Sequence, residues 1–353
     1  MSCNFGEKVK ITIFGQSHSE AIGVVIDGLP AGKKLDMDKI SGFMSRRAPG
    51  RNKFSTARKE ADLPEIISGL VDGVTCGAPL CAVIKNGDTR SKDYENLRTV
   101  PRPAHSDFAA FFKHNGFNDI RGGGNFSGRM TAPLCFAGAV CMQYLEDEGI
   151  EIGAHIEKIG GVKDKRFDPV NVDFSLVRGK DFPVIDDSCG EVMLEKIEEA
   201  RLEADSVGGV IECAVTGLPV GIGEPMFDGI ENVISQAVFA VPAVKGIEFG
   251  SGFEGADLKG SENNDSFSSN DGKFVTDTNN HGGILGGISS GMPVVFRVAM
   301  KPTPSIGKVQ KSVNLITREE EEVCVHGRHD PCVVPRAVPC IEAAAAIAIM
   351  NLR

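Results

Sequence analysis

Five of the seven histidines sit in short polar stretches whose residue types suit proton transfer and anion binding. His18 lies in GQSHSE, His105 in RPAHSD, His281 in NNHGG, and His326 and His329 in HGRHDP. Imidazole changes charge near neutral pH and can pass protons, while the guanidinium fork matches phosphate and carboxylate groups. The chain adds a basic run, RRAPGRNKFSTARK at 46–59, which holds Arg46, Arg47, Arg51, Lys53, Arg58 and Lys59 and no acid. In a protein of net charge −10 such a run is either a solvated loop or an anion site. Four glycine-bearing loops, GQSHSEAIG, GGGNFSGR, NNHGGILGGISSG and KPTPSIGK, could let backbone N–H groups approach an anion, with hydroxyls as further donors. None is a Walker A loop, and GGGNFSG holds only the start of a dinucleotide fingerprint with no clear strand before it. Together these residues point to a binder or enzyme for a small molecule with several negative charges. They leave the reaction open.

The elements that must position these groups are legible in outline. At 353 residues and 41% hydrophobic content the chain can bury a large core, and no linker-like shift divides it, so we expect one domain spanning 1–353. No run approaches the ~18 uncharged apolar residues of a membrane span, and the N-terminus lacks signal-peptide order; the expected location is the cytosol, away from membranes. The acidic balance argues against a nucleic-acid surface. The ten cysteines show neither CxxC pairs nor zinc spacing and mostly have apolar neighbours, so they read as small buried hydrophobes, with no metal site expected.

Residues 9–14 and 23–26 read as strands, and 36–47 as a helix ended by Pro49 and Gly50. Hairpins follow up to about position 87. A short helix is predicted over 107–113. Residues 132–145 and 337–350 are apolar nearly all round, which predicts helices buried between layers. Helices at 191–204 and 229–241 and strands within 208–216 and 291–300 complete the pattern, while the polar, turn-rich 260–277 is expected to be a long mobile loop.

In their order along the chain these blocks resemble the chorismate synthase family, from about Phe5 to Leu352. GRHDPCVVPRAVPCIEA at 327–343 is similar to the family's C-terminal signature almost position for position. TIFGQSHSEAIGVVIDGLPAG resembles the N-terminal signature, with Gln16 and Ser19 where an acid and a glycine are more usual. RRAPGRNKFSTARKEAD, RPAHSD, GLPVGIGEPMFD, AVKGIEFGSGF, HGGILGGISSGMP and KPTPSI look like the remaining blocks. The resemblance implies an α+β fold, a single-domain sandwich with helices buried between two antiparallel sheets, assembled as a homotetramer. It implies the anti-1,4 elimination of phosphate from 5-enolpyruvylshikimate 3-phosphate to give chorismate, with reduced FMN as cofactor.

Carried over residue by residue, the resemblance gives Arg46, Arg47, Lys53, Arg102, Arg129 and Arg336 to the anionic groups of the substrate. His105 would donate a proton to the leaving phosphate, His18 would lie by the flavin, and Asp330 would work with flavin N5 in removing the ring hydrogen. FMN would meet Asn125, Phe126, Ser127, Pro242, Ala243, Gly286, Lys301, Pro302, Thr303, Pro304, Ser305 and Arg328. The usual segment after the three glycines is Arg-Ser-Ser-Ala-Arg-Glu-Thr. Here it is Asn125-Phe126-Ser127-Gly128-Arg129-Met130-Thr131, so Ser127 and Arg129 carry over more directly than Asn125 and Phe126. Pro242 replaces a common asparagine, leaving its backbone as the contact. Some relatives reduce their own flavin with NADPH, but no extra reductase segment is visible here, which implies an external flavin reductase or reductant. The alternatives on the same residues are another phosphate-handling transferase and an anion-binding regulatory module without turnover.

Overall fold

The computed structural model describes residues 3–50, 60, 62–87, 97–270, 272–325 and 330–353. Its helices are α1 (Met37–Arg47), α2 (Asp107–Lys113), α3 (Thr131–Glu146), α4 (Asp187–Leu202), α5 (Ile230–Val238), α6 (Gly260–Asn263) and α7 (Val334–Leu352). Two five-stranded sheets enclose the longest of them. The first runs Asn4–Phe5, Lys10–Gly15, Ala21–Asp27, Leu80–Lys85, Glu65–Ser68, and every neighbour is antiparallel. The second runs Val244–Phe249, Val294–Met300, Gly209–Thr216, Glu151–Ile159, Val162–Lys163, again antiparallel. The expected sandwich is the observed one.

Strand periodicity explains which face of each sheet meets the helices. In the first sheet Ile22, Val24 and Ile26 pair with Ile84, Ala82 and Leu80, and all six are buried. In the second, Ile211, Cys213 and Val215 pair with Val298, Phe296 and Val294 and join the same core. The helix α3 packs on the first sheet and α7 on the second, and the two pack on each other. That accounts for sequences without a polar face: α7 has the length and hydropathy of a membrane span, yet 83% of that window is buried inside the protein.

The α3–α7 contact is close because Gly138 lies at the crossing. A Cβ there would sit 2.3 Å from the Ala343 Cβ and 2.4 Å from its Cα. Backbone cannot swing aside as a side-chain tip can. Gly138→Val should therefore destabilise the protein by roughly 1–3 kcal/mol through overpacking, read as a lower denaturant midpoint at unchanged slope. An unchanged midpoint would refute the crossing as a site of tight packing.

One expectation is corrected. Residues 260–277 do not form a featureless loop: α6 is followed by a hairpin of Phe267–Asn270 with Lys273–Thr276. The Asp265 carboxylate accepts hydrogen bonds from the Asn280 and His281 backbone N–H groups, both at 2.8 Å, and from the Thr278 hydroxyl. It also meets the His281 ring, whose other nitrogen reaches Ser290 Oγ at 2.8 Å. A single buried acceptor organises what composition alone marks as irregular.

Candidate active site

A cleft of about 710 Å³ opens where the ends of these elements meet. The C-terminus of α1 contributes Arg47, the loop before α2 contributes Arg102 and His105, and the turns at 121–130 contribute Asn125 to Met130. The segment after α5 adds 239–245, the segment after Val294–Met300 adds Lys301, Thr303, Pro304 and Ser305, and the start of α7 adds Asp330, Val333, Arg336, Ala337 and Cys340. His18 completes the lining. The size falls in the upper part of the ~300–1,000 Å³ range of ligand sites. Cationic groups share the walls with Met130, Phe239, Val241, Val244 and Met300.

The glycines at 122–124 serve packing more than anion binding. All three have positive φ, and a Cβ on Gly122 would come within 2.4 Å of the His18 ring and the Ser17 hydroxyl. A Cβ on Gly124 would lie 2.1 Å from the Asp119 carbonyl oxygen. The chain can thus turn tightly over His18, and the Ser17 N–H donates to the Gly124 carbonyl at 3.1 Å. Ala104 and Ala243 also hold left-handed backbone, with φ of 58° and 75°, although neither is glycine. Both line the cleft, where strained backbone is commonly tolerated for function.

Each arginine of the cleft has a carboxylate behind it. Arg47 donates to Asp62 Oδ2 at 2.7 Å, to Thr131 Oγ1 at 2.9 Å and to the Gly128 carbonyl at 2.7 Å. Arg129 takes the other Asp62 oxygen and donates to Asn86 Oδ1 at 3.0 Å. Burial would raise the Asp62 carboxyl, but the charges of Arg47 and Arg129 outweigh it and hold it below the usual carboxylate range. Arg336 donates to Asp330 and to the Arg47 carbonyl at 3.1 Å. Arg102 grips Asp107 with two hydrogen bonds of 2.7 and 2.9 Å and reaches Ser305 Oγ at 3.0 Å.

Asp107 also lies 2.7 Å from His105 Nδ1. Burial alone would raise its carboxyl, but hydrogen bonds from Arg102 and His105 prevail and hold it well below the ordinary range. For His105 itself, burial is the largest influence and lowers the pKa; the Asp107 hydrogen bond opposes this, and the charges of Arg102 and Lys301 reinforce it. The net shift is downward. That direction favours the neutral imidazole in the free protein. Lys301 donates to the Ala104 carbonyl at 2.6 Å, and burial followed by the charge of Lys245 lowers its pKa. Two cations facing one space with this mutual repulsion make that end of the cleft suited to an anion.

The residues expected from the sequence distribute plainly. His18, His105, Asp330, Arg47, Arg102, Arg129, Arg336, Asn125, Phe126, Ser127, Pro242, Ala243, Lys301, Thr303, Pro304 and Ser305 all line the cleft. Arg46 does not: it forms a bidentate pair with Glu342 of α7, at 2.6 and 2.9 Å, and Glu342 also accepts from the Ala154 N–H. Pro302 lies outside the lining, between two cleft residues. Gly286 sits in the turn joining Ile284–Leu285 to Ile288–Ser289, away from the cleft, with open space beside it. Lys53 and Arg328 fall outside the described residues, as do His326 and His329. Sequence reasoning missed Asp62, Glu342 and the cleft-lining Lys245. Asp107 was visible as the acid beside His105 in RPAHSD, five residues after Arg102.

Comparison with known proteins identifies the family. The chorismate synthase family model matches residues 9–353. Curated relatives, each named chorismate synthase, include those of Lancefieldella parvula, 46% identical over 99% of this chain and 96% of the relative, and Dehalococcoides mccartyi, 45% identical over 100% and 96%. One from Methanosarcina mazei is 45% identical over 97% of this chain and 93% of its own length. A crystal structure of chorismate synthase, 25% identical, superposes with a TM-score of 0.76 over 99% of this chain and 92% of that one. With a family model across nearly its whole length, relatives at this identity and the same sandwich, the chain belongs to the chorismate synthase family.

Proposed function

We propose that the protein is a lyase that converts 5-enolpyruvylshikimate 3-phosphate to chorismate and phosphate by anti-1,4 elimination, with reduced FMN bound in the same cleft. The observation that carries this reading is one cavity combining arginines paired with carboxylates, a half-buried imidazole backed by Asp107 and an apolar face. The substrate has a phosphate and two carboxylates, which suits a site where Arg47, Arg102, Arg129 and Arg336 meet and where, among the described lining residues, the one acid is Asp330, paired with Arg336.

The donor set also fits a flavin mononucleotide. Lys301 with the Thr303 and Ser305 hydroxyls would hold its phosphate, and Phe126, Met130, Val241, Pro242 and Ala243 offer apolar surface and backbone for its ring. When bound, the reduced flavin supplies electron density for carbon–oxygen cleavage. The remaining work falls to the protein. Arg47, Arg129 and Arg336 orient the substrate and neutralise its charge in a partly dry cleft, where such pairs favour departure of the phosphate. His105 passes a proton to the leaving phosphate, and Asp330, held by Arg336, takes up the hydrogen lost from the ring. Four copies assemble, and electrons come from an external flavin reductase or reductant.

For this role His105 must be protonated in the complex, although its surroundings lower its pKa beforehand. A phosphate placed beside it adds opposite charge and raises its pKa, so binding should draw a proton from solution near neutral pH. Affinity should then fall as pH rises through the raised value. Calorimetry in buffers of different ionisation enthalpy measures that uptake, which His105→Gln should remove. Equal uptake by the variant would contradict the assignment. The activity itself is tested anaerobically with dithionite-reduced FMN and 5-enolpyruvylshikimate 3-phosphate by following chorismate absorbance. Substrate binding without turnover would instead leave the regulatory alternative.

A further inference from the structure

Two of the ten cysteines meet across the α3–α7 interface. The Cys135 thiol donates to the Cys340 sulfur at 3.7 Å, and both side chains are buried. The helices come close enough because Gly138, one turn beyond Cys135, has no side chain where it crosses Ala343. The pair is not sealed in the core. Cys340 lines the cleft one turn beyond Arg336, whose carbonyl accepts its S–H at 3.4 Å, and Cys135 lies behind it.

The surroundings make the two sulfurs unequal. The hydrogen bond from Cys135 is the largest influence on the Cys340 thiol; with the charges of Arg47 and Arg336 and a hydrogen bond from Thr131 it outweighs burial and lowers the thiol below its ordinary value. Burial first, then its contact with Cys340, pushes the Cys135 thiol well above its ordinary value. The more acidic thiol is therefore the one that faces the cleft, and the less acidic one lies behind it. A thiolate in electropositive surroundings, reachable through a ligand cavity and touching a second thiol, has what peroxide-reactive cysteines require.

We propose that Cys340 is an oxidation site for hydroperoxides and that Cys135 resolves it to a disulfide. The Cys340 thiolate attacks one oxygen of hydrogen peroxide, the O–O bond breaks and hydroxide leaves; sulfur is oxidised to the sulfenic acid and peroxide is reduced. The Cys135 sulfur then loses its proton and attacks the Cys340 sulfur, and the second oxygen departs as water. Two thiols and one peroxide give one disulfide and two waters. Bond formation draws the sulfurs from 3.7 Å to about 2.05 Å. The movement falls on the turn of α7 that carries Arg336 and on the turn of α3 that begins at Thr131, the hydroxyl partner of Arg47. Oxidation thus loosens two anion-binding arginines, and thiol reductants restore them.

The test uses the full chain, reduced and then exposed to hydrogen peroxide, alkylated and mapped by mass spectrometry, so its readout does not depend on any lyase activity. The expected product joins the Cys135 and Cys340 peptides and is reversed by dithiothreitol. It should form at least about tenfold faster than oxidation of Cys141, a buried thiol of the same helix pushed up to about 12. Cys135→Ser should keep the activity and far-ultraviolet spectrum of the parent but accumulate a dimedone-reactive sulfenic acid at Cys340. The proposal is overturned if Cys340 stays alkylatable while the exposed Cys3 and Cys76 are oxidised. It is equally overturned if Cys135→Ser yields no sulfenic acid at position 340.

Discussion

His105→Ala should lower kcat by about 10²–10⁴-fold, the usual worth of a positioned general acid, while leaving the protein folded and able to bind its ligands. The expectation follows from what remains after truncation. Asp107 keeps both hydrogen bonds from Arg102, so no buried carboxylate is left alone, and Arg102 keeps Ser305. The anion-binding frame around position 105 therefore survives, and KM should change much less than kcat. What is lost is the imidazole, which Asp107 holds at 2.7 Å from Nδ1 with the rest of the ring toward the cleft. Steady-state rates under anaerobic conditions, alongside thermal melts, separate the two effects. A variant within about threefold of the parent kcat would remove His105 from the proton-transfer role.

The same site shows which of its parts a sequence can reveal. Arginines and histidines were visible because they are scarce cations in an acidic chain and cluster in short motifs. Their distant carboxylate partners were not, since contact between Arg46 and Glu342 spans 296 positions and that between Arg129 and Asp62 spans 67, whereas Asp107 and Asp330 lie within the motifs of the arginines they meet. An acid among 48 acids carries no mark of the cation it will meet. Likewise α3 and α7 were legible as buried helices from their composition, but the thiol contact between them depends on helix rotation and on Gly138, which periodicity does not give. The three glycines at 122–124 show a third kind of limit. A phosphate cradle and a turn pressed against a histidine ring demand the same residue, and only the positions of Ser17 and His18 decide between them. Where a single acceptor such as Asp265 organises a loop, polar composition misleads in the opposite direction and suggests mobility.

Arg47→Ala should have two separable consequences, a large rise in KM and a loss of stability. Arg47 and Asp62 are 3% and 4% exposed, so solvent offers neither charge much compensation. Removing one partner of a buried pair costs about 3–5 kcal/mol; here Asp62 keeps Arg129, which places the expected loss near the lower end. Binding suffers for a different reason: the substrate loses a guanidinium whose charge-assisted hydrogen bonds are each worth about 1.5–3 kcal/mol, or roughly 10–100-fold in KM. The double variant Arg47→Ala/Asp62→Asn tells these apart. In the parent, Arg47 and Arg129 are balanced by Asp62 and by Glu60, whose carboxylate lies 3.6 Å from Arg129. The single variant leaves one buried negative charge in excess, whereas the double variant leaves Arg129 with Glu60. Stability should therefore partly return in the double variant while KM stays high. If KM recovered together with stability, Arg47 would be a structural clamp; if KM stayed high, its guanidinium acts on the substrate directly, and Asp62 is the residue that makes a buried cation at that place tolerable.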